Sequence, residues 1–326
     1  MSNILLCGSI DHSNQKAIDF TSALSKKIAE KGHTIYTGCS NAFDSLVAGS
    51  AFEYLKSNNQ NADDYLVSYY CGDKEPYHQF GTILKSRLNS WMPNKRVYLP
   101  EQLEDADAVI IIGGKEGTQI AVDWARISNK LLLPVSCLGG TADEAYREEI
   151  KNFETKYANR VGKKKYSQLN QALIDFNDVA TDIVDLTDSI TNSKTAVVIM
   201  SYQKDAQLED AFESFNTVCE KFLYQCRKTT EINSHDRLVS EIFFNIANSA
   251  FVIADISFPS PNVYFELGYA IAIRKSFVIT AKKGTVLPFD VSDLPVIFWE
   301  SQIQLKENLE AKIRETIKAQ RKNSRP

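Results

Sequence analysis

Apolar and polar positions along this chain fall into two repeating kinds of block. Short runs of consecutive apolar residues predict buried strands, and longer segments with apolar residues every three or four positions predict amphipathic helices. In the first half, strands are expected at Ile4–Cys7, Thr34–Tyr36, Tyr65–Tyr70, Ala108–Ile112 and Leu131–Val135. Helices are expected over Asn14–Lys31, which stops at Gly32, over Phe43–Leu55 and over Glu116–Ser128. Ala108–Ile112 is apolar throughout, as a strand covered on both faces must be. The pattern restarts with strands at Thr195–Met200, Phe251–Ala254, Ser276–Thr280 and Val296–Trp299. Helices are expected at Leu208–Phe222, Arg237–Ile246, Val263–Ile273 and Ile303–Ala319.

Strands alternating with helices predict parallel doubly wound α/β sheets. Two such domains are expected, a Rossmann-like one over residues 1–155 and a flavodoxin-like one over 194–326. The intervening 156–193 reads as a helical linker, with short helices near Gln168–Phe176 and Val179–Leu186 and a turn-rich end at Asp188–Lys194. The chain has 326 residues, more than the roughly 250–300 that one core serves. The Gly162-Lys-Lys-Lys cluster reads as a solvated face.

Composition narrows the partners. The formal net charge of −4 argues against a nucleic-acid polymer. The six cysteines contain no CxxC pair and the four histidines are scattered. Reduced thiols and no metal centre are expected. The first residues lack a basic region and a long apolar core, and no apolar run reaches about 18 residues. A cytoplasmic protein with no membrane partner is therefore expected.

Three glycine turns follow strands of the first domain. They are Cys7-Gly8-Ser9, Gly113-Gly114-Lys115-Glu-Gly117-Thr118 and Leu138-Gly139-Gly140-Thr. Glycines let a ligand approach the backbone, and the helix start offers N–H groups and a positive dipole end to a phosphate. Each turn alone is an ordinary tight turn; three in one sheet suggest a shared crevice. Arg87 and Lys95 are candidate cations for it, though each alone reads as a surface residue.

In the second domain the strongest string is Asp255-Ile-Ser-Phe-Pro-Ser-Pro-Asn262-Val-Tyr264-Phe-Glu266-Leu-Gly-Tyr-Ala. Glu266 is expected in the first helical turn, directly after Tyr264 and Phe265 and buried against them. Asp255 is expected at a strand's carboxyl end, where open α/β sheets bind ligands. A carboxylate beneath a sugar stabilises or attacks the oxocarbenium-like centre formed when an N-glycosidic bond breaks. Burial raises such a pKa and a helix start lowers it, so the sequence leaves the balance open. Asn262 is placed as an N-cap, and Ser201 and Tyr202 at the neighbouring strand end. A glutamate near a helix start is also favoured electrostatically with no function at all.

These motifs carry two resemblances. Cys7-Gly-Ser with Gly113-Gly…Gly117-Thr resembles the SLOG superfamily, relatives of the LOG phosphoribohydrolases, over about residues 1–155. The LOG glutamate position falls on Ala121, which disfavours hydrolysis there and implies a sensor of cyclic ADP-ribose-type nucleotides. The Pro261-Asn-Val-Tyr-Phe-Glu-Leu-Gly-Tyr-Ala string resembles nucleoside 2-deoxyribosyltransferase-like and TIR-like proteins over residues 194–300. That resemblance gives Glu266 the catalytic role and, more weakly, places substrate contacts at His235, Asp236 and Arg237. It also implies a homo-oligomer. Together the resemblances imply a messenger-activated NAD hydrolase of bacterial antiphage defence, needing no cofactor. The alternatives are a deoxyribosyltransferase or nucleotide N-hydrolase of nucleotide metabolism, and a non-catalytic nucleotide-binding signalling protein.

Overall fold

A computed structural model describes residues 1–72, 75–87, 99–158, 160–191, 195–229, 238–258 and 260–323. The chain divides into two compact units, Met1–Asn192 and Ser193–Pro326.

The first unit contains β1 (Asn3–Ser9), α1 (Gln15–Glu30), β2 (Thr34–Gly38), α2 (Ala42–Ser57), β3 (Leu66–Tyr70) and β4 (Thr82–Lys85). It continues with α3 (Glu101–Asp105), β5 (Ala108–Gly113), α4 (Glu116–Ile127), β6 (Leu131–Val135) and α5 (Gly140–Lys151). Two single turns, α6 (Phe153–Lys156) and α7 (Lys163–Tyr166), precede α8 (Phe176–Thr191). All strand pairs are parallel, in the order β4-β3-β2-β1-β5-β6. Side chains alternate across a strand. Leu5, Val109, Ile111 and Leu132 therefore share one face with Leu103 of α3, Val122 and Trp124 of α4, and Ala142 of α5. Their neighbours Ile4, Leu6, Ile110 and Ile112 are equally buried, as a doubly covered sheet requires.

The expected linker is not a separate segment: its described residues, 156–158 and 160–191, belong to the first unit. The apolar stripe of α8 (Val179, Ile183, Leu186, Ile190) is buried, and α8 packs on α1. Lys165 is no free surface charge, since its Nζ donates to Asp185 O at 3.2 Å and Ser189 Oγ at 2.7 Å. Tyr157 and Tyr166 both donate to Leu132 O, at 3.0 and 3.3 Å, which pins this segment to the β6 edge.

The second unit contains β7 (Thr195–Ile199), α9 (Ala206–Lys221), β8 (Gln225–Lys228), α10 (Leu238–Asn248) and β9 (Phe251–Asp255). Then come α11 (Pro261–Ala272), β10 (Phe277–Lys282), β11 (Val296–Trp299) and α12 (Gln302–Asn323). Its sheet is also all parallel, in the order β11-β10-β9-β7-β8. Val198, Phe251 and Ile253 pack with Leu208, Phe215 and Leu309 of α9 and α12. Val197, Val252 and Ile279 face the other way, onto Ile242, Val263 and Leu267 of α10 and α11. Both units are thus doubly wound parallel α/β folds. No helix among the described residues is long and apolar enough to cross a membrane.

Candidate functional sites

In each unit the chain turns outward in both directions from one central strand. The neighbours of β1 are β2 and β5, and those of β7 are β8 and β9. A crevice opens at the carboxyl ends of strands at such a switch point. Both candidate sites lie there.

In the first unit, a cavity of about 330 Å³ is lined by Gly8 and Ser9 at the end of β1 and by Lys115, Gly117 and Thr118 at the start of α4. These expected residues are brought together. Lys115 is the N-cap of α4 and its side chain makes no cap bond, which leaves the helix's first N–H groups to other partners. Gly113 and Gly114 shape the turn, with φ of 56° and 105°, values costly for any other residue. A side chain at Gly114 would collide with Thr118. Gly139 and Gly140 do not line the cavity; they support it from behind. Thr141 N–H donates to Gly114 O at 3.2 Å and its hydroxyl to Lys115 O at 3.1 Å, and a side chain at Gly140 would strike Gly114 O.

Arg87 is not at the crevice. Its guanidinium is exposed and bridges Glu101 and Glu104, each at 2.9 Å, as a surface ion pair does. Lys95 lies outside the described residues.

Sequence reasoning missed the other half of this lining. Asp44, Tyr69 and Gln102 also face the cavity. Asp44 is buried near the start of α2, and its Oδ2 accepts from Ser40 N–H at 3.0 Å. Burial pushes its pKa up to about 6. Gln102 is 2% exposed and its Oε1 has no hydrogen-bond partner. Asp44 reads in the sequence as an ordinary helix-start acid, so periodicity carries no sign of it.

In the second unit, Tyr202 follows β7 and reaches Glu266 on α11, its hydroxyl donating to Oε1 at 2.6 Å. Glu266 is 3% exposed, and its Oε2 has no partner. The hydroxyl of Thr229, just past β8, lies against both side chains without completing a hydrogen bond to either. The Tyr264 hydroxyl is likewise buried and unpaired. Oε2 of Glu266 and the neighbouring Thr229 hydroxyl are therefore buried together with hydrogen-bonding capacity unused, which in native proteins calls for an explanation such as a ligand or water.

Several expectations need correction here. Helix α11 begins at Pro261, so Glu266 lies in its second turn, beyond most of the dipole's reach. Desolvation therefore prevails, and the Glu266 pKa is raised, opposed by the bond from Tyr202. Phe265 does not bury it, being 58% exposed. The N-cap position falls on Ser260 and not on Asn262; proline without an N–H suits the first helical position, which leaves Asn262 exposed at the second. Asp255 is 1% exposed, and both its oxygens are engaged. Thr280 hydroxyl donates to Oδ2 at 2.8 Å and Ser257 N–H to Oδ1 at 3.1 Å. It ties the turn after β9 to β10, with one hydrogen bond already accepted at each oxygen. Ser201 is buried beside Tyr202. His235, Asp236 and Arg237 fall outside the described residues.

No family model matches the chain, and no curated protein matches it. Solved structures similar to it include the protein TM1055, with 19% identity, coverage of 45% of this chain and 81% of that one, and a TM-score of 0.37. The CMP N-glycosidase BcmB of Clostridium botulinum has 17% identity, coverage of 36% and 98%, and a TM-score of 0.31. The molybdenum cofactor carrier protein of Chlamydomonas reinhardtii has 17% identity, coverage of 58% and 97%, and a TM-score of 0.38. At this level of likeness none of them assigns an activity to the chain.

Proposed function

We propose that the second unit cleaves an N-glycosidic bond in a nucleotide, with NAD as substrate, and that the first unit binds a nucleotide messenger that governs it. The observation that carries this reading is the Tyr202–Glu266 pair at the switch point, with Oε2 of Glu266 unpartnered. An ionised Glu266 placed beneath C1′ stabilises or attacks the positive charge that grows as the C1′–N bond breaks. The bonding electron pair leaves with the base, and water completes hydrolysis at C1′.

The state of Tyr202 favours NAD over an ordinary nucleoside. Its pKa is pushed up to about 12 by desolvation and by Glu266, and its proton is already donated to Oε1. It is a poor acid for protonating a departing base. Nicotinamide leaves a pyridinium nitrogen as a neutral molecule and needs no proton. A messenger of the cyclic ADP-ribose type at the first unit, and a role in antiphage defence, complete the proposal. Activation requires that the messenger bind the active state more tightly than the idle one.

The test is nicotinamide release from NAD by the full-length protein, alone and with cyclic ADP-ribose isomers. Messenger-dependent release is expected. A folded protein that releases none under any of these conditions would overturn the reading.

A further inference from the structure

The first unit's cavity carries opposite hydrogen-bonding character at its two ends. One end is built by the start of α4, following β5, and supplies Lys115, the free N–H groups of the helix and the Thr118 hydroxyl. The other end is built from β2 and β3. It contains Asp44, which follows β2, and Tyr69 on β3. In the sheet order β3-β2-β1-β5, three strand spacings separate β3 from β5. At about 4.8 Å each that is roughly 14 Å, the length of a nucleotide rather than of a phosphate.

Gln102 belongs to the second end. It sits on α3 beside Glu101, whose carboxylate accepts from the Ser86 hydroxyl just past β4 at 2.8 Å. Its unpartnered Oε1 can only accept a hydrogen bond, and so can the Asp44 carboxylate when ionised. A buried acceptor without a donor is costly, so a ligand group that donates there is strongly selected over one that cannot. The position of Asp44 is itself built. A side chain at Gly38 would come within 2.4 Å of its Oδ2, so glycine there allows the carboxylate to lie over the strand end. A phosphate at that end would meet a buried carboxylate and be repelled.

We infer that this cavity binds a nucleotide in one orientation, with its phosphate at Lys115 and Thr118 and a hydrogen-bond-donating group, a ribose diol or an amino-bearing base edge, at Asp44 and Gln102. This deepens the messenger role proposed above and rests on it. It excludes ligands that would place a phosphate at the Asp44 end, and bases or sugars that lack the donor.

The probe is adenosine 5′-monophosphate, titrated calorimetrically into the full-length protein at pH 7.5. Inosine 5′-monophosphate, which has a carbonyl in place of the amino group, and the 2′-deoxy form of the adenosine compound are the two comparison arms. Loss of binding in Gly117→Trp assigns the heat to this cavity. At least a tenfold weaker affinity is expected in one arm, which identifies the donor as base or sugar. Asp44→Asn and Gln102→Leu should each weaken the adenosine compound tenfold or more and reduce the difference between arms. Equal affinity for all three nucleotides, with binding still lost in Gly117→Trp, would overturn the oriented pocket and leave a nucleotide site. Absence of any binding that Gly117→Trp removes would overturn the oriented pocket, whereas the messenger role falls only if cyclic ADP-ribose isomers also leave nicotinamide release unchanged.

Discussion

The hydroxyl of Tyr202 lies 2.6 Å from Oε1 of Glu266, joining two residues 64 positions apart. One stands at the end of the central strand and the other on the helix after the next strand, so the switch point of the sheet creates the pair. The bond holds one carboxyl oxygen and directs the other to whatever fills the site. Tyr202→Phe removes a hydrogen bond to a charged group, worth about 1.5–3 kcal/mol. Glycosidic cleavage should fall roughly 10- to 100-fold, chiefly in kcat. Glu266→Gln should abolish it while the circular dichroism spectrum is retained. Full turnover by the glutamine variant would remove Glu266 from the chemistry.

The pH dependence follows from the same pair. Desolvation raises the Glu266 pKa above its ordinary 4.5, and the reaction uses the ionised form. The rate against pH should therefore rise with a midpoint above 4.5. The bond from Tyr202 opposes this shift, so Tyr202→Phe should move the midpoint further up. A midpoint that falls in the phenylalanine variant would contradict the arrangement. Stability runs in the opposite sense, because the folded form holds this proton more tightly than the unfolded chain. The contribution is full below 4.5 and is lost as pH rises through the folded pKa. Glu266→Gln, uncharged throughout, should be more stable than the parent at neutral pH.

Both sheets were legible because a parallel strand covered on two faces is apolar at every position, as in Ala108–Ile112 and Phe251–Ala254. The edge strands Thr82–Lys85 and Gln225–Lys228 were not, since none of their residues is buried, and two of the four residues in the first and three of the four in the second are polar. Helix α5 was hidden behind Gly139-Gly140, which reads as a turn and instead opens the helix. Glu266 stood out as a carboxylate in an apolar helix. Its partner Tyr202 and its neighbour Thr229 come from two other strand ends, and only the sheet order brings them together. Asp255 shows the converse: strand-end position suggested a ligand contact, but the register of β9 on β10 sets it against Thr280.

Asp44 gives a prediction for the first unit alone. Its pKa is raised from 3.8 to about 6 by burial, so folding binds its proton. The charged form costs stability that is absent below pH 3.8 and complete above about 6. A shift of that size corresponds to about 3 kcal/mol at full effect. Asp44→Asn keeps an acceptor for Ser40 N–H and carries no charge. Its denaturation midpoint should exceed the parent's at pH 7.5, with the gap closing by pH 4. A variant less stable than the parent at pH 7.5 would show that the carboxylate is favourably held there.

The glycines of the first unit should separate packing from binding. A side chain at Gly8 would come within 2.1 Å of Ile112 O, a backbone atom of the paired strand β5 that cannot turn aside. Gly8→Ala should therefore force the strands apart and cost roughly 1–3 kcal/mol or more, as overpacking does. Gly117 differs: nothing lies within 4 Å of the position its side chain would take, and it is the second residue of α4. Its replacement also removes the entropic penalty of glycine in a helix. Gly117→Trp should melt at or above the parent temperature while filling the cavity and losing adenosine 5′-monophosphate. Gly8→Ala should melt lower, and any loss of nucleotide should recover under conditions that restore its stability. If Gly117→Trp binds the nucleotide as the parent does, the crevice at α4 is not where the ligand sits. If Gly8→Ala melts with the parent, the close approach of β1 to β5 is not what requires glycine there.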